Sequence, residues 1–385
     1  MFIRVFGQDS ITEIDWATIE RGDCLRLFYD PILGRSSKIF VQNSDHITEI
    51  LQVNDQVYPL TLGKKSKKNA CYLFSFPAQY IDYSRAEILK GRQYKKSQRF
   101  TARFLFPPLR VLAEPLDLEK VVFVNNFFLA TNLYEGNSPL AHSNVLDYLR
   151  KRYPDRAIVY RSVNDMTGID LFQKLKKQGG LPLACRQLYI LDPANKKYLK
   201  KRPVVQDRKL WEKSQDLFWE QATELPLKEM EVLLKYYRQL YLEKYSPLNP
   251  DYTPEFIKAS MDSGMLDYYV LRAKANNALV AIQAVTQTKE VLCTPLIGYN
   301  QNWPKERGLY RLMNHQLTHF AAAQGKILNM SSGASKFKKQ RGGVPCFDHH
   351  IVFTDHLPKR RQWIWKKLHW YSEKHIKPKM IDLGV

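Results

Sequence analysis

The sequence predicts an α/β (α+β) fold in two tandem halves, each a mixed, twisted sheet flanked by helices. Three observations predict it. Residues 227–264 carry helical periodicity, which gives way to three alternating or apolar runs over 266–299. A β-α-β-α-β order read across 121–191 matches the order across 291–353, so the chain repeats one plan. The third is composition. With 385 residues, 44% of them hydrophobic and including 22 Tyr, 19 Phe and 7 Trp, the chain has enough apolar mass to bury two cores.

The second half reads most clearly. In 227–245, Met230, Leu233, Leu234, Tyr237, Leu240 and Tyr241 share one helical face, and SPLNP at 246–250 ends that helix. Thr253 and Pro254 make an N-cap and first-turn pair for a second helix that stops at Gly264. A three-strand meander follows, with Asn276-Asn277 at its first tight turn. Pro295, inside the third strand, deletes a ladder donor and so predicts a bulge. Leu309, Leu312, Met313, Leu317, Phe320 and Ala321 stripe a long helix, and Gly325 lies just past its end. KILNMSS is then a strand, SKFKKQ a short helix or turn, CFDHHIVF a strand and 359–374 a terminal helix. In the first half, 121–134 reads as one long strand. It is followed by a helix from Ser138-Pro139 to Tyr153, a strand at RAIVYRS, a helix at 168–180 and a strand at ACRQLYILD. The domain limits are 1–195, 196–224 as a basic linker or helix, 225–357 and a basic amphipathic tail at 358–385.

The formal net charge is +21, with basic blocks at 64–68, 90–99, 196–209 and the C-terminus, which points to acidic partners. Five scattered cysteines with no CxxC or Cys/His spacing argue against a zinc site or a disulfide scaffold and for small buried apolar side chains. No apolar run reaches the ~18 residues of a membrane helix. The N-terminus has no secretory pattern, so a cytoplasmic protein is expected. His315 and His319 stand four apart on a helix without a third ligand, and are read as structural rather than metal-binding. Without a G-x-S-x-G elbow, Ser331 and Ser332 read as a small-residue corner with Gly333 rather than as nucleophiles. Trp363, Trp370 and Leu368 are expected to dock the terminal helix on the second half, with its bases in solvent.

The chemistry concentrates in 298–343. A strand ends at Tyr299, and a loop with Lys305, Arg307 and Gly308 feeds a helix that begins at Leu309, Tyr310 and Arg311. Free N–H groups and three nearby cations make that helix start an anion site. The next strand should run parallel to the one ending at Tyr299, and a bulge at Pro295 would part the two. The resulting cleft would suit an extended ligand with a phosphate at one end. Asp348, His349 and His350 alternate along the last strand, and His349 is a candidate general base.

These residues resemble the acyl-CoA N-acyltransferase (GNAT) superfamily, and within it the cellulose-biosynthesis/Fem-like branch. The features are Tyr299 on its strand, the KERGLYR loop, the helix at 309–324, ILNMSSGA, and Phe337-Lys338 followed by Gly342-Gly343. The resemblance covers 225–357 best, 120–191 less well and 1–119 little. It implies acyl or aminoacyl transfer to an amine on a small molecule or peptide. No cofactor would be tightly bound; acyl-CoA, an acyl carrier protein or an aminoacyl-tRNA would act as co-substrate. Backbone N–H groups near Leu296, Ile297 and Gly298 would stabilise the oxyanion, Lys338 would face the donor, and Phe337 and Ser332 would line the cleft. The loop has one glycine where GNAT phosphate loops carry more, and Phe337 stands where a catalytic tyrosine is usual. The chain is expected to be a monomer or homodimer. The alternative is a GNAT-fold protein without catalysis that binds nucleic acid or anionic lipid.

Overall fold

The computed structural model describes residues 1–33, 36–64, 70–91, 94–136 and 138–383. Of the basic run at 64–68 only Lys64 is included, and Arg92 and Gln93 of the run at 90–99 also lie outside the described residues.

Twelve strands form one sheet among the described residues. They are β1 (Ile3–Phe6), β2 (His46–Val53), β3 (Gln56–Gly63), β4 (Val121–Val124), β5 (Ala157–Asn164), β6 (Leu181–Leu191), β7 (Leu217–Ala222), β8 (Asp267–Ala273), β9 (Leu279–Gln287), β10 (Val291–Tyr299), β11 (Ile327–Asn329) and β12 (Val344–Phe353). Their order is β1-β2-β3-β4-β5-β12-β6-β11-β10-β9-β8-β7. Every residue of β5 is buried, as a central strand covered on both faces requires.

The two halves follow one plan. In each, an antiparallel meander (β2-β3-β4, β8-β9-β10) leads through a helix to a parallel neighbour, β5 or β11. The halves then exchange strands. β12 lies between β5 and β6, and β6 reaches across to pair with β11 through Leu328–Leu191 and Asn329–Ile190. Neither half closes its sheet without a strand from the other.

Most elements stand where the sequence places them. The Thr253 hydroxyl caps the helix Pro254–Asp262, accepting from the Phe256 N–H at 3.2 Å. Asn277 and Gly325 take positive φ at their turns. The register of β10 against β9 shifts between Cys293 and Leu296, the bulge that Pro295 demands.

Three expectations change. The strand from 121 ends at Val124, because Asn125 and Phe128 adopt positive φ. There Asn126 Nδ2 donates to Thr61 Oγ1 (2.7 Å) and the Leu73 carbonyl (3.0 Å), so side-chain bonds replace the ladder. The 196–224 stretch holds the helix Arg202–Lys213 and edge strand β7, which pairs with β8 along its length. The terminal helix Lys359–Tyr371 docks on the first half, not the second. Trp365 is buried against Phe76 (4.6 Å between rings) in a cluster with Val121, Phe123, Ala157 and Val159, while Trp363 and Trp370 point outward. No helix among the described residues is long and apolar enough to cross a membrane.

Candidate active site

The parallel pair at the centre of the second half separates after three residues. β10 and β11 pair through Val291–Ile327, Leu292–Leu328 and Cys293–Asn329. Beyond the bulge, β10 runs on along β9 to Tyr299. β11 stops at Asn329, and the chain turns away through Ser331, Gly333 and Ala334, all at positive φ. In an antiparallel pair alternate residues turn N–H and C=O groups away from their partner, so the stretch with Leu296, Ile297 and Gly298 presents such groups to the gap. Gly298 has a packing reason to lack a side chain. A Cβ there would lie 3.1–3.2 Å from Tyr236 Cβ, Tyr237 N and Leu233 O, because the helix Leu227–Arg238 crosses the strand at that point.

The short helix Ser335–Gln340 follows the turn and brings Phe337 and Lys338 to the gap. Lys338 is 4% exposed. Its Nζ donates to the carbonyls of Ser332 (2.6 Å) and Ser331 (3.2 Å). Burial pushes its pKa down to about 7; a Cys293 thiolate would oppose the shift, and the Arg186 charge adds to it. Cys293 is the last β10 residue paired with β11. Lys338 therefore sits where the strands part, with an amine that is neutral in a substantial fraction of molecules at neutral pH.

The Lys338 Nζ lies 5.9 Å from the Tyr189 ring, and Phe337 belongs to a row of three half-buried aromatic rings. Tyr310 lies 4.8 Å from Phe337 and 6.4 Å from Tyr299, ring to ring. Burial pushes the Tyr310 phenol up to about 12, so it stays protonated. Phe337 is held from behind by the Arg341 guanidinium, 3.4 Å from its ring centre.

The helix Leu309–Ala323 begins at Gly308, whose φ of +58° favours glycine and whose position supplies no side-chain cap. Two of the three cations expected there are already paired. Arg307 Nη2 reaches Asp216 at 2.7 Å and Arg311 Nε reaches Asp207 at 2.6 Å. Arg341 also binds Asp207. The helix Arg202–Lys213 supplies Asp207 and brings Leu210 so near Gly308 that a Cβ would lie 2.9 Å from Leu210 Cδ2. Lys305 remains exposed.

His349 is not part of this constellation. It lies on β12, with β6 and β11 between it and β10. Its ring packs on Phe172 at 5.0 Å. Burial lowers its pKa to about 4, with Lys377 adding to the shift. It is a neutral core imidazole. His315 and His319 likewise form no metal cluster, and no group of three or more metal-ligating side chains occurs among the described residues. Cys71, Cys293 and Cys346 are buried as expected, whereas Cys24 is exposed.

The residues that sequence reasoning missed lie behind the gap. Arg186 on β6 contacts Asp348 Oδ2 through Nε (3.0 Å) and Nη2 (2.7 Å), and Nη2 also donates to Thr131 Oγ1 at 2.9 Å. Arg186 bears on both Cys293 and Lys338 electrostatically. Its signal in the sequence was an arginine set in the apolar run ACRQLYIL.

No family model matches the chain. No curated protein matches it either. Solved structures do. FemX overlaps 65% of this chain and 83% of its own at 10% identity, with a TM-score of 0.45. L-PGS from Bacillus licheniformis overlaps 65% and 83% at 14% identity, with a TM-score of 0.44. A tandem GNAT protein from the clavulanic acid biosynthesis pathway overlaps 93% and 100% at 9% identity, with a TM-score of 0.37. The strand order, the repeated plan and the parted parallel pair define the architecture among the described residues: two copies of one α/β plan joined in a single mixed sheet.

Proposed function

We propose that the chain is an acyl- or aminoacyltransferase that acts on an amine, with its reaction centre in the gap between β10 and β11. The observation that carries this reading is Lys338, an amine buried at the fork with its pKa brought to about 7. Burial of the lysine costs stability, which its hydrogen bonds to the Ser331 and Ser332 carbonyls partly offset. In the neutral form it can take a proton from the attacking amine as the new N–C bond forms. The ester or thioester C–O or C–S bond then breaks, and the leaving oxygen or sulfur receives that proton. Backbone N–H groups of the 296–298 stretch are suited to the oxyanion that develops on the carbonyl. Tyr299, Tyr310 and Phe337 would wall the donor.

The paired arginines bear on the donor. A pyrophosphate at the start of the helix Leu309–Ala323 would find Arg307 and Arg311 already paired with Asp216 and the buried Asp207. This favours an acyl carrier protein or aminoacyl-tRNA over CoA. The test is a panel of acyl-CoA, acyl-carrier and aminoacyl-tRNA donors, read by thermal shift and by thiol or tRNA release. One donor should stabilise the protein and turn over with an amine. Lys338→Ala should lower that turnover by ~10²-fold or more while donor-induced stabilisation persists. Turnover that survives the substitution unchanged removes Lys338 from the mechanism.

A further inference from the structure

One face of the molecule is built unlike the rest of its surface. The helices Lys96–Phe104 and Phe106–Leu112 bury almost nothing: Ala102 alone in the first and no residue in the second. They expose Phe100 (65%), Phe104 (56%), Leu109 (50%) and Val111 (73%), along with Leu105 and Leu112. The rings of Phe100 and Phe104 pack on each other at 4.7 Å, on the outside. The terminal helix Lys359–Tyr371 adds exposed Trp363, Trp370 and Tyr371. The two surfaces meet. Leu116, just past the second helix, lines a shallow apolar groove of about 350 Å³ with Trp363, Ile364, Leu368, Trp370 and Tyr371. Nine of the twenty exposed large apolar side chains among the described residues lie on these three helices and Leu105 between them. That concentration exceeds the scatter of single apolar residues on ordinary surfaces.

The charge around this face is predominantly basic. Residues 95–119 contain five Lys/Arg and three acids, of which Glu119 pairs with Arg110, and residues 359–379 contain eight Lys/Arg and one acid. Lys95, Lys96, Arg103, Lys359, Arg360 and Lys366 are exposed. Lys367 and Lys374 place their ammonium groups 5.5 and 5.0 Å from the rings of Trp363 and Trp370.

We propose that this face docks on the surface of an anionic lipid bilayer. Trp side chains suit the headgroup level, aliphatic and Phe side chains the acyl boundary, and Lys and Arg the lipid phosphates. The aliphatic share separates this occupant from nucleic acid, since Leu105, Leu109, Val111 and Leu112 offer no ring on which a base stacks. The excess of bases, thirteen against four acids over 95–119 and 359–379, separates it from a second copy of the chain, which would set mostly like charges against each other. The proposal is independent of the transferase reading.

The test is flotation of the full chain with vesicles of phosphatidylcholine alone and of phosphatidylcholine with about one third phosphatidylglycerol. Partitioning should be at least ~10-fold higher with the anionic lipid, and tryptophan emission should shift to the blue on binding. The double variant Leu109→Ser, Leu112→Ser and the single variant Trp363→Ser change exposed residues outside the candidate site. Each should fold like the parent and lose most of the partitioning, and the residual binding should be abolished by salt. No partitioning, or equal partitioning to both vesicles, overturns the proposal. So does an exposed face that is covered instead by a concentration-dependent dimer or by single-stranded nucleic acid that competes away the vesicles.

Discussion

Lys338 sets up a conflict between stability and chemistry that can be measured directly. Its pKa near 7 in the fold lies below the ~10.4 of a free lysine. Between those values the unfolded chain binds a proton that the folded chain does not, so stability contributed by this site rises as pH rises from 7 to 10 and is lowest below 7. Lys338→Met removes the titration while keeping length and bulk. The wild type should therefore gain stability on the variant across pH 7–10 in denaturant midpoints; parallel curves for the two proteins would show that Lys338 does not titrate in that range. The same residue divides what the sequence could and could not tell. The Phe337-Lys338 pair was legible as a motif, but the two serine carbonyls that hold Nζ and the Arg186 charge behind it come from other elements. His349 fails for the converse reason. Alternation along a strand says that neighbouring side chains oppose each other, not which face is core, and His349 faces Phe172.

At the scale of elements, the gap depends on how closely the helix Leu227–Arg238 can approach β10. Pro295 announced the bulge because a missing N–H is visible in any sequence. The role of Gly298 was not visible, since its neighbours are two backbone atoms and one side-chain atom from a helix sixty residues earlier. Gly298→Ala should push that helix from the strand and cost about 1–3 kcal/mol, as overpacking typically does. Urea unfolding would measure it, and a change below ~0.5 kcal/mol would mean that the helix moves freely there. The strand predicted to run through 134 fails for a related reason: Asn125 and Asn126 sit in an apolar run that reads as continuous strand, and only their tertiary hydrogen bonds, to Leu133 and to Thr61 and Leu73, break it. The edge strand β7 was hidden by its charged neighbours, because Glu220 and Gln221 occupy exposed positions that carry no apolar alternation.

Strand exchange joins the two halves in one sheet although the plan repeats, and so predicts that they unfold together. A repeat visible in order of elements suggests two separable domains, and nothing in local sequence reports that β12 inserts between β5 and β6. The pairing has an energetic signature at its centre. Asp348 on β12 is 1% exposed and Arg186 on β6 is its partner, so the ion pair joins the exchanged strands. Removing one member of a buried pair leaves the other without compensation, at about 3–5 kcal/mol. Arg186→Met should therefore lower the unfolding midpoint of both halves together, although the substitution lies in strand β6 alone. Native-state hydrogen exchange under rising denaturant resolves this, because amides of β2 and β3 report the first half and those of β8 and β9 the second. Loss of protection at one common denaturant concentration in wild type, shifted equally in the variant, is the expected result. Protection lost in β8 and β9 while β2 and β3 remain closed would mean that the halves unfold separately, and that the exchanged strands join them without coupling them.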